Sequence, residues 1–309
     1  MTSGSTGEPR ALAFTDAQMI ADGRQICATM GIAPADTNLA VIPFGHSYGL
    51  GNLVVPLLIQ GTPVVCGAGA FPRAIAADCR RWRPTVCPLV PVILSALARA
   101  PIDPPDLSSL RLVVSAGSAL APADAQAFHR RFGLRPHGFY GSSETGGICY
   151  DRTGEATLAG SSAGRPLRGV RLFGRPGGRF LVESPAVMGG GRRRPPDLGR
   201  LAGSGELILR GRVGRMVKIA GRRLALSEVE LALKRIPGVR EAAVLPSPRK
   251  AEALVAAVAA DRDAAEIRRA LAGTLAPWKI PQRILAVASL PATARGKADH
   301  RRILELFGV

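Results

Sequence analysis

Hydroxyl residues and glycines crowd the start of the chain, in the run Met1-Thr2-Ser3-Gly4-Ser5-Thr6-Gly7-Glu8-Pro9-Arg10. Because glycine permits positive φ and close backbone approach, the N–H groups and hydroxyls of such a run can surround one anion, and a phosphate is the natural ligand. The spacing is not that of the common G-x-x-x-x-G-K-[ST] loop, since no lysine follows Gly7. Taken alone, the composition is more typical of a flexible linker.

Further polar groups lie in short segments rich in glycine and other small residues. These segments are Gly45-His46-Ser47-Tyr48-Gly49, Ser115-Ala116-Gly117-Ser118, Phe139-Tyr140-Gly141-Ser142-Ser143-Glu144-Thr145-Gly146 and Pro291-Ala292-Thr293-Ala294-Arg295-Gly296-Lys297. Each also has a purely structural interpretation. His46 can be a loop histidine satisfied by backbone groups, and Lys297 an ordinary exposed lysine. Residues 115–118 can be a plain strand-turn-helix, and residues 142–146 an N-capped turn.

Taken in this order, the segments resemble the motifs of the adenylate-forming superfamily, which includes acyl- and aryl-CoA synthetases, peptide-synthetase adenylation domains and luciferases. The phosphate loop of that family reads T-S-G-[ST]-T-G-x-P-K-G, and residues 2–9 match it, with Arg10 replacing the usual lysine. Residues 140–144 resemble the family's Y-G-x-T-E, with Ser143 replacing threonine. Residues 291–297 resemble P-x-T-x-x-G-K, so the resemblance covers essentially the whole chain.

The resemblance implies a set of residues for the phosphates of ATP. They would be Thr2, Ser3, Gly4, Ser5, Thr6, Gly7, Arg10 and Ser143. Glu144 would hold Mg²⁺, a hard cation that prefers oxygen ligands and usually shares them with phosphates.

For the nucleoside, the resemblance implies that the backbone at Gly117 and Gly141 lies against the adenine, while the ring of Tyr140 stacks on it. Asp197, in a segment similar to the family's T-G-D, would accept hydrogen bonds from both ribose hydroxyls. Arg212 would be the second ribose contact.

The remaining implied residues serve acyl transfer. The ammonium of Lys297 would stabilise charge that develops between the carboxylate and the α-phosphate. Gly214 occupies the position of the family's acidic hinge residue, and a glycine is a permissive pivot there. Gly221 would lie in the hairpin that faces the thiol channel, and His46 would line the passage where carboxylate and thiol meet.

By resemblance, a carboxylate attacks the α-phosphate of Mg·ATP, pyrophosphate leaves, and a thiol then displaces AMP from the acyl-adenylate to give a thioester. The thiol would be coenzyme A or that of a carrier protein. An apolar fatty or aryl acid is favoured over an amino acid, because residues 44–47 offer no acidic anchor for an ammonium group. The side chains expected near the acid are His46, Val90, Val92 and Leu94.

Strands alternate with helices up to about residue 140, which predicts an α/β fold with a mostly parallel sheet covered on both faces. In such sheets ligands bind beyond the carboxyl ends of the strands. Residues 169–210 predict a small, mostly antiparallel β unit, and a compact α+β pattern follows. We therefore expect a truncated AMP-binding domain over residues 1–211 and a smaller, mobile C-terminal lid domain over residues 212–309.

Two helix starts can be predicted from their capping residues. Residues 15–31 form an amphipathic pattern with Asp16 as the expected cap. Residues 227–236 begin with the capping-box sequence Ser227-Glu228-Val229-Glu230. Between them, the apolar segment 53–59 predicts a buried helix.

Composition limits the other classes of function. The 309 residues are 47% hydrophobic, yet no apolar run approaches the length of a membrane span, and no signal peptide is evident. Five cysteines without C-x-x-C spacing favour a reducing, cytoplasmic location over a disulfide framework or zinc site. The net charge of +18 suggests nucleic acid as a partner, although aromatic residues, at 5%, offer few stacking platforms.

Family members carry a large portion before the phosphate loop, whereas here the loop begins at residue 2. Either Met1 is an internal methionine of a longer protein, or this is a genuine short form. As written, the sheet would keep unpaired strand edges and exposed apolar surface, so we expect weak ATP binding and poor solubility. Three functions therefore stay open: an acyl ligase, a catalytically impaired nucleotide-binding or interaction protein, and a basic nucleic-acid binder.

Overall fold

The computed structural model describes residues 11–212, 216–219, 222–293 and 298–308. The chain folds as two compact units, the first containing most residues before Arg210 and the second containing the residues from Arg210 onward. None of the helices in the described ranges is long and apolar enough to cross a membrane. All five cysteines are described, and all have free thiols.

Helices and strands mostly alternate over residues 11–166. They are α1 (Asp16–Met30), β1 (Asn38–Ala40), α2 (Ser47–Gly49), α3 (Val55–Gln60), β2 (Val64–Cys66), α4 (Pro72–Trp82), β3 (Val86–Leu89), α5 (Pro91–Arg99), β4 (Leu112–Ser115), α6 (Pro122–Phe132), β5 (Pro136–Ser142), β6 (Gly146–Tyr150), α7 (Glu155–Ala159) and β7 (Arg165–Pro166). A π-helical turn, Leu50–Val54, joins α2 to α3.

Among the described residues, these strands form one seven-stranded sheet in the order β2-β1-β3-β4-β5-β6-β7. The strands from β2 to β5 pair in parallel, whereas β6 and β7 run antiparallel to their neighbours. The predicted α/β class with a mostly parallel sheet is therefore confirmed.

Alternate residues of the central strands point to opposite faces of the sheet, and each face is covered. Val114 of β4 packs in the cluster that contains Ile26 of α1, whereas Val113 packs in the cluster that contains Leu94 and Phe128. Burying each of these large side chains stabilises the fold by about 1.5–3 kcal/mol.

The predicted cap of α1 is wrong by one residue. Thr15, not Asp16, is the N-cap, and it forms a reciprocal capping box with Gln18. The helix also packs very closely on α3, because a Cβ at Gly23 would lie 2.3 Å from Val55 Cγ1. A larger residue at position 23 would therefore force the side chains of Val55 and Ile59 to move.

The apolar segment 53–59 is only partly the buried helix that its composition predicts. Leu53 and Val55 are buried, but Leu57 is 43% and Leu58 is 75% exposed. A short helix that begins with Pro56 in its first turn offers only one side to the core, so the apolar residues on its other side face solvent.

The predicted antiparallel β unit is present after residue 169. It comprises β8 (Arg171–Arg175), β9 (Arg179–Glu183), β10 (Arg192–Arg193), β11 (Asp197–Leu201) and β12 (Leu207–Arg212). Strands β8 and β10 pair antiparallel with β9, and β11 pairs with β12.

The second unit is an α+β fold. Its elements are β13 (Met216–Ile219), β14 (Arg222–Ala225), α8 (Leu226–Lys234), β15 (Val239–Pro246), β16 (Leu254–Ala260), α9 (Ala264–Ala272), β17 (Arg283–Val287) and α10 (His300–Glu305). Strand β16 pairs antiparallel with β15 and parallel with β17.

The capping box predicted at Ser227 is wrong. Helix α8 starts one residue earlier, with Ala225 as an N-cap that makes no side-chain capping bond. The carboxylate of Glu230 instead accepts a hydrogen bond of 2.9 Å from the backbone N–H of Val244. It therefore ties α8 to β15 rather than closing the end of its own helix.

Candidate active site

The polar segments of the first unit lie at one edge of the sheet. Strands β1, β3, β4 and β5 are parallel, so the segments that follow their carboxyl ends emerge side by side. They include His46 after β1, Val90 after β3, Gly117 after β4 and Ser143 after β5.

The centre of this edge is the turn between β5 and β6, in which Ser143 and Glu144 stand half-exposed at the apex. A Cβ at Gly141 would lie 2.6 Å from the carbonyl oxygen of Gly146, which itself has a φ of +69°. The turn therefore needs small residues at both ends. It joins two antiparallel strands and does not begin a helix.

Further hydrogen bonds fix the apex. The hydroxyls of Ser142 and Thr145 lie 2.9 Å apart, and Thr145 is fully buried. The carbonyl oxygen of Glu144 accepts a hydrogen bond of 3.0 Å from the N–H of Met188. The backbone at Glu144 is therefore fixed both by bonds within the turn and by the bond from Met188.

The structure brings the His46 segment against this apex. Ser47 Oγ lies 3.2 Å from Ser143 Oγ. The next residue, Tyr48, is buried, donates its hydroxyl to the carbonyl oxygen of Val114 at 3.1 Å, and stacks on Phe139 with 6.0 Å between ring centroids. Tyr48 thereby anchors the segment to β4 and β5.

His46 has a structural role that its segment alone left open. It is the N-cap of α2, where its Nδ1 accepts a hydrogen bond of 3.2 Å from the N–H of Tyr48. With Nδ1 as acceptor, the neutral imidazole carries its proton on Nε2. The side chain is exposed at the edge that also carries Ser143.

Gly117 and Tyr140 are connected only through Val90 and the core cluster beneath it, within the described residues. Gly117 is exposed and has a φ of +92°, which favours glycine. A Cβ there would stand 3.7 Å from Val90, and Val90 and Tyr140 pack against the same core cluster.

The residues expected around the acid are only partly accessible. Val92 is 49% exposed, whereas Leu94 is wholly buried in the core with Phe128 and cannot contact a ligand. The prediction for Leu94 is wrong because α5, which begins at Pro91, turns this side chain into the core against β4.

The structure gives only the position in the fold for two predicted site residues, and ten others lie outside the described ranges. Asp197 is the half-exposed first residue of β11, and the backbone of Arg212 ends β12. Residues outside the described ranges are Thr2, Ser3, Gly4, Ser5, Thr6, Gly7, Arg10, Gly214, Gly221 and Lys297.

Glu144 could take part in a magnesium site but could not form one alone. Within the described ranges, no group of three or more His, Cys, Asp or Glu residues is placed to hold a metal ion. Mg²⁺ is commonly bound by one or two carboxylates together with substrate phosphates. One half-exposed carboxylate at the apex fits that donor set.

Asp22 of α1 belongs to the site, although its sequence gives no motif that marks it. It is 9% exposed, and its Oδ1 accepts a hydrogen bond of 2.8 Å from the N–H of Gly147, directly after the turn. Burial raises the pKa of this carboxyl to about 6, and the Gly147 N–H only partly offsets the effect. The one available signal is its spacing from Gln18 and Gln25, which places three polar residues along one face of α1.

The sequence matches two family descriptions, AMP-binding enzyme over residues 1–175 and AMP-binding enzyme C-terminal domain over residues 228–297. The chain belongs to the AMP-binding enzyme family. The first of these matches includes all of the polar segments that lie at the carboxyl edge of the sheet.

Individual relatives agree with this assignment. The sulfoacetate–CoA ligase of Cupriavidus necator is 29% identical over 336 residues, which cover 98% of this chain and 65% of that protein. The indoleacetate–CoA ligase of Aromatoleum aromaticum is 29% identical, covering 99% and 66%. The amide bond synthetase McbA from Marinactinospora thermotolerans superposes with a TM-score of 0.83 at 28% identity, covering 97% and 68%. The AMP-binding chain thus spans about two thirds of the length of the curated relatives it matches.

Proposed function

We propose that this AMP-binding chain activates a carboxylic acid with ATP to an acyl-adenylate and transfers the acyl group to a thiol, that of coenzyme A. The observation that carries the proposal is the contact between Ser143 and Ser47, which joins two family segments at the carboxyl edge of the sheet. Glu144 follows Ser143 directly, and the half-buried Tyr140 precedes it by three residues.

In the proposed first step, a carboxylate oxygen attacks the α-phosphorus of ATP and pyrophosphate leaves. Ser143 and the run Thr2–Gly7 bind the phosphates through hydroxyls and N–H groups, with Arg10 adding a positive charge. Lys297 stabilises the charge that develops between carboxylate and phosphate. When bound at Glu144, Mg²⁺ supplies further neutralisation of the phosphate oxygens.

Asp197 and Arg212 hold the ribose in this proposal, and Tyr140 covers the adenine. In the second step the thiol attacks the acyl carbon, and the carboxylate-derived oxygen leaves with AMP. Gly214 serves as the pivot that withdraws Lys297, and Gly221 borders the thiol path. These roles come from the family motifs that the residues match.

The proposal also extends to the chemical class of the acid and to the identity of the thiol acceptor. The two curated relatives are named for sulfoacetate and indoleacetate, which are both substituted acetates but carry very different substituents, a sulfonate and an indole ring. The partly exposed Val90 and exposed Val92 favour an apolar or aryl acid here. A carrier-protein thiol is the alternative acceptor, and the similarity to an amide bond synthetase adds amines to the compounds worth testing.

The test is acid-dependent ATP–pyrophosphate exchange with a panel of fatty, aryl and sulfonated acids. We expect one acid class to support exchange, and Lys297→Ala to reduce the rate about 10²–10³-fold. Lys250→Ala is the matched control, because Lys250 is exposed in the turn between β15 and β16. ATP binding without exchange for any acid would contradict the proposal and favour an impaired nucleotide-binding protein.

A further inference from the structure

Asp22 binds one of the two segments that meet at the candidate active site and lies close to the other. Its Oδ1 accepts the hydrogen bond from Gly147 that closes the β5–β6 turn. A Cβ at Gly146 would lie 2.3 Å from the same oxygen, so the backbone of the turn rests directly on the carboxylate.

The other carboxylate oxygen faces the segment that carries Ser47. A Cβ at Gly51, in the π-helical turn directly after α2, would lie 3.1 Å from Asp22 Oδ2. One buried side chain thus lies between the turn that presents Ser143 and the turn that follows Ser47. These two serines are the pair whose hydroxyls lie 3.2 Å apart.

A second side chain of α1 supports the same turn from its other side. Gln18 Nε2 donates a hydrogen bond of 3.0 Å to the carbonyl oxygen of Val187, and the neighbouring Met188 donates to the carbonyl oxygen of Glu144. Because Gln18 and Asp22 are four residues apart, they lie on one face of α1. The helix therefore fixes both the apex and the far end of the turn.

We propose that Asp22 is a positioning residue of the nucleotide site, holding the Ser143–Glu144 turn in register with Ser47. Among the described residues, it acts through Gly146 and Gly147 on one side and lies close to Gly51 on the other. Its role at the nucleotide rests on the proposed function, whereas its role in fixing the turn does not. Retention of an ionisable group where burial disfavours its charge is typical of functional sites and supports the assignment.

The first test measures amide hydrogen exchange without nucleotide in Asp22→Ala and Asp22→Asn. Asparagine keeps an oxygen acceptor for Gly147, so we expect exchange at residues 142–147 within about 3-fold of wild type, against about 10-fold faster exchange in Asp22→Ala. Asp78→Ala is the matched control, because Asp78 is 7% exposed and accepts one N–H, from Ala68, at 2.8 Å. Unchanged exchange in Asp22→Ala, or an equal increase in Asp78→Ala, would overturn the proposal.

The second test compares the affinities for ATP with Mg²⁺ and for ATP in a chelator, by calorimetry. Misplacing Glu144 should weaken the magnesium complex about 10–100-fold in Asp22→Ala and metal-free ATP less than about 3-fold, with Asp22→Asn close to wild type. A general loss of packing would weaken both equally, and that result overturns the role at the nucleotide. If wild type binds neither form, the proposed function fails, and hydrogen exchange alone decides whether Asp22 fixes the turn.

Discussion

Ser143 and Glu144 are the residues on which the proposed chemistry depends most directly. Glu144 is half-exposed, and its carbonyl oxygen is fixed by Met188, so the carboxylate projects from a rigid turn. The charge of Glu144, rather than its size, should therefore matter for the magnesium–nucleotide complex.

We predict that Glu144→Gln slows acid-dependent pyrophosphate exchange about 10–100-fold, because an amide oxygen binds Mg²⁺ more weakly than a carboxylate oxygen. Raising the Mg²⁺ concentration should restore part of the rate. Glu155→Gln is the control, since this exposed glutamate starts α7 and pairs only loosely with Arg135, at 3.5 Å. Equal effects of the two substitutions would contradict the role of Glu144.

The ionisation of Asp22 should lower the stability of the fold, although the residue supports the site. Burial raises its pKa to about 6, so the folded state binds the proton more tightly than the unfolded state. The stability that this carboxyl contributes is fully present below about pH 4 and is lost as the pH rises through about 6. Above that range, the ionised and buried group costs free energy.

We therefore expect Asp22→Asn to raise the free energy of unfolding by about 1–3 kcal/mol at about pH 8, with the gain vanishing as the pH falls toward 4. Urea denaturation of the two proteins across this pH range measures the difference. A variant that is less stable than wild type at pH 8 would show that the charge of Asp22 is well compensated in the fold. The same variant tests whether an oxygen acceptor alone suffices to hold the turn.

At the scale of elements, the β5–β6 hairpin depends on a glycine pressed against α1. Gly146 has a φ of +69°, and Gly133, at the end of α6, has nearly the same φ of +70°. A Cβ at Gly133 meets nothing within 4 Å, whereas one at Gly146 would lie 2.3 Å from Asp22. Alanine substitutions at Gly133 and Gly146 should therefore cause similar backbone strain, but only the one at Gly146 should also cause steric overlap.

We predict that Gly133→Ala destabilises the protein by about 1 kcal/mol and that Gly146→Ala costs about 1–3 kcal/mol more. Denaturant unfolding monitored by circular dichroism measures both. Equal destabilisation would mean that the Asp22 carboxylate yields easily, which would also weaken the case for its positioning role.

Periodicity predicted most elements of this chain but not their ends. The pattern over residues 15–31 matches α1 closely, yet its cap is Thr15 rather than Asp16. Residues 227–230 satisfy the capping-box sequence, but the Glu230 carboxylate accepts a hydrogen bond from Val244 of β15 instead. The local sequence cannot reveal this distant partner. Caps depend on where the chain enters a helix, and an error of one residue changes which side chain reaches the free N–H groups.

In the site, too, contiguous motifs could be predicted from the sequence, whereas contacts between distant residues could not. The turn around Glu144 could be found because its residues are contiguous. The contact of Ser47 with Ser143 joins residues 96 apart, and that of Asp22 with Gly147 joins residues 125 apart. Such pairings arise from the order of strands in the sheet, so a motif can mark one residue without revealing its partner.

At the scale of the whole molecule, the net charge of +18 is the most unusual property. Some of the charged side chains form ion pairs that stabilise the fold and add nothing to the net charge, as in the pairs of Arg111 with Asp36 and Arg99 with Asp124. The Arg111 guanidinium lowers the pKa of Asp36 to about 2, so this pair persists over most of the pH range.

The remaining charge predicts weak, non-specific attraction to nucleic acid. Affinity for random duplex DNA should fall about 10-fold or more between about 50 and 200 mM salt, because binding releases counterions from the phosphates. Fluorescence anisotropy with labelled DNA measures this dependence, and DNA should leave pyrophosphate exchange unchanged at the higher salt. Salt-resistant, sequence-selective binding would instead support nucleic-acid recognition as the main function.

The central claim is that a carboxylate oxygen becomes bonded to the α-phosphorus of ATP at this site. It is tested most directly by incubating the protein with ATP, a thiol acceptor and an acid labelled with ¹⁸O in its carboxylate, followed by mass spectrometry of the products. Our account predicts one ¹⁸O atom in each AMP formed and none in the pyrophosphate. Label in inorganic phosphate with release of ADP, or AMP without label, would contradict it.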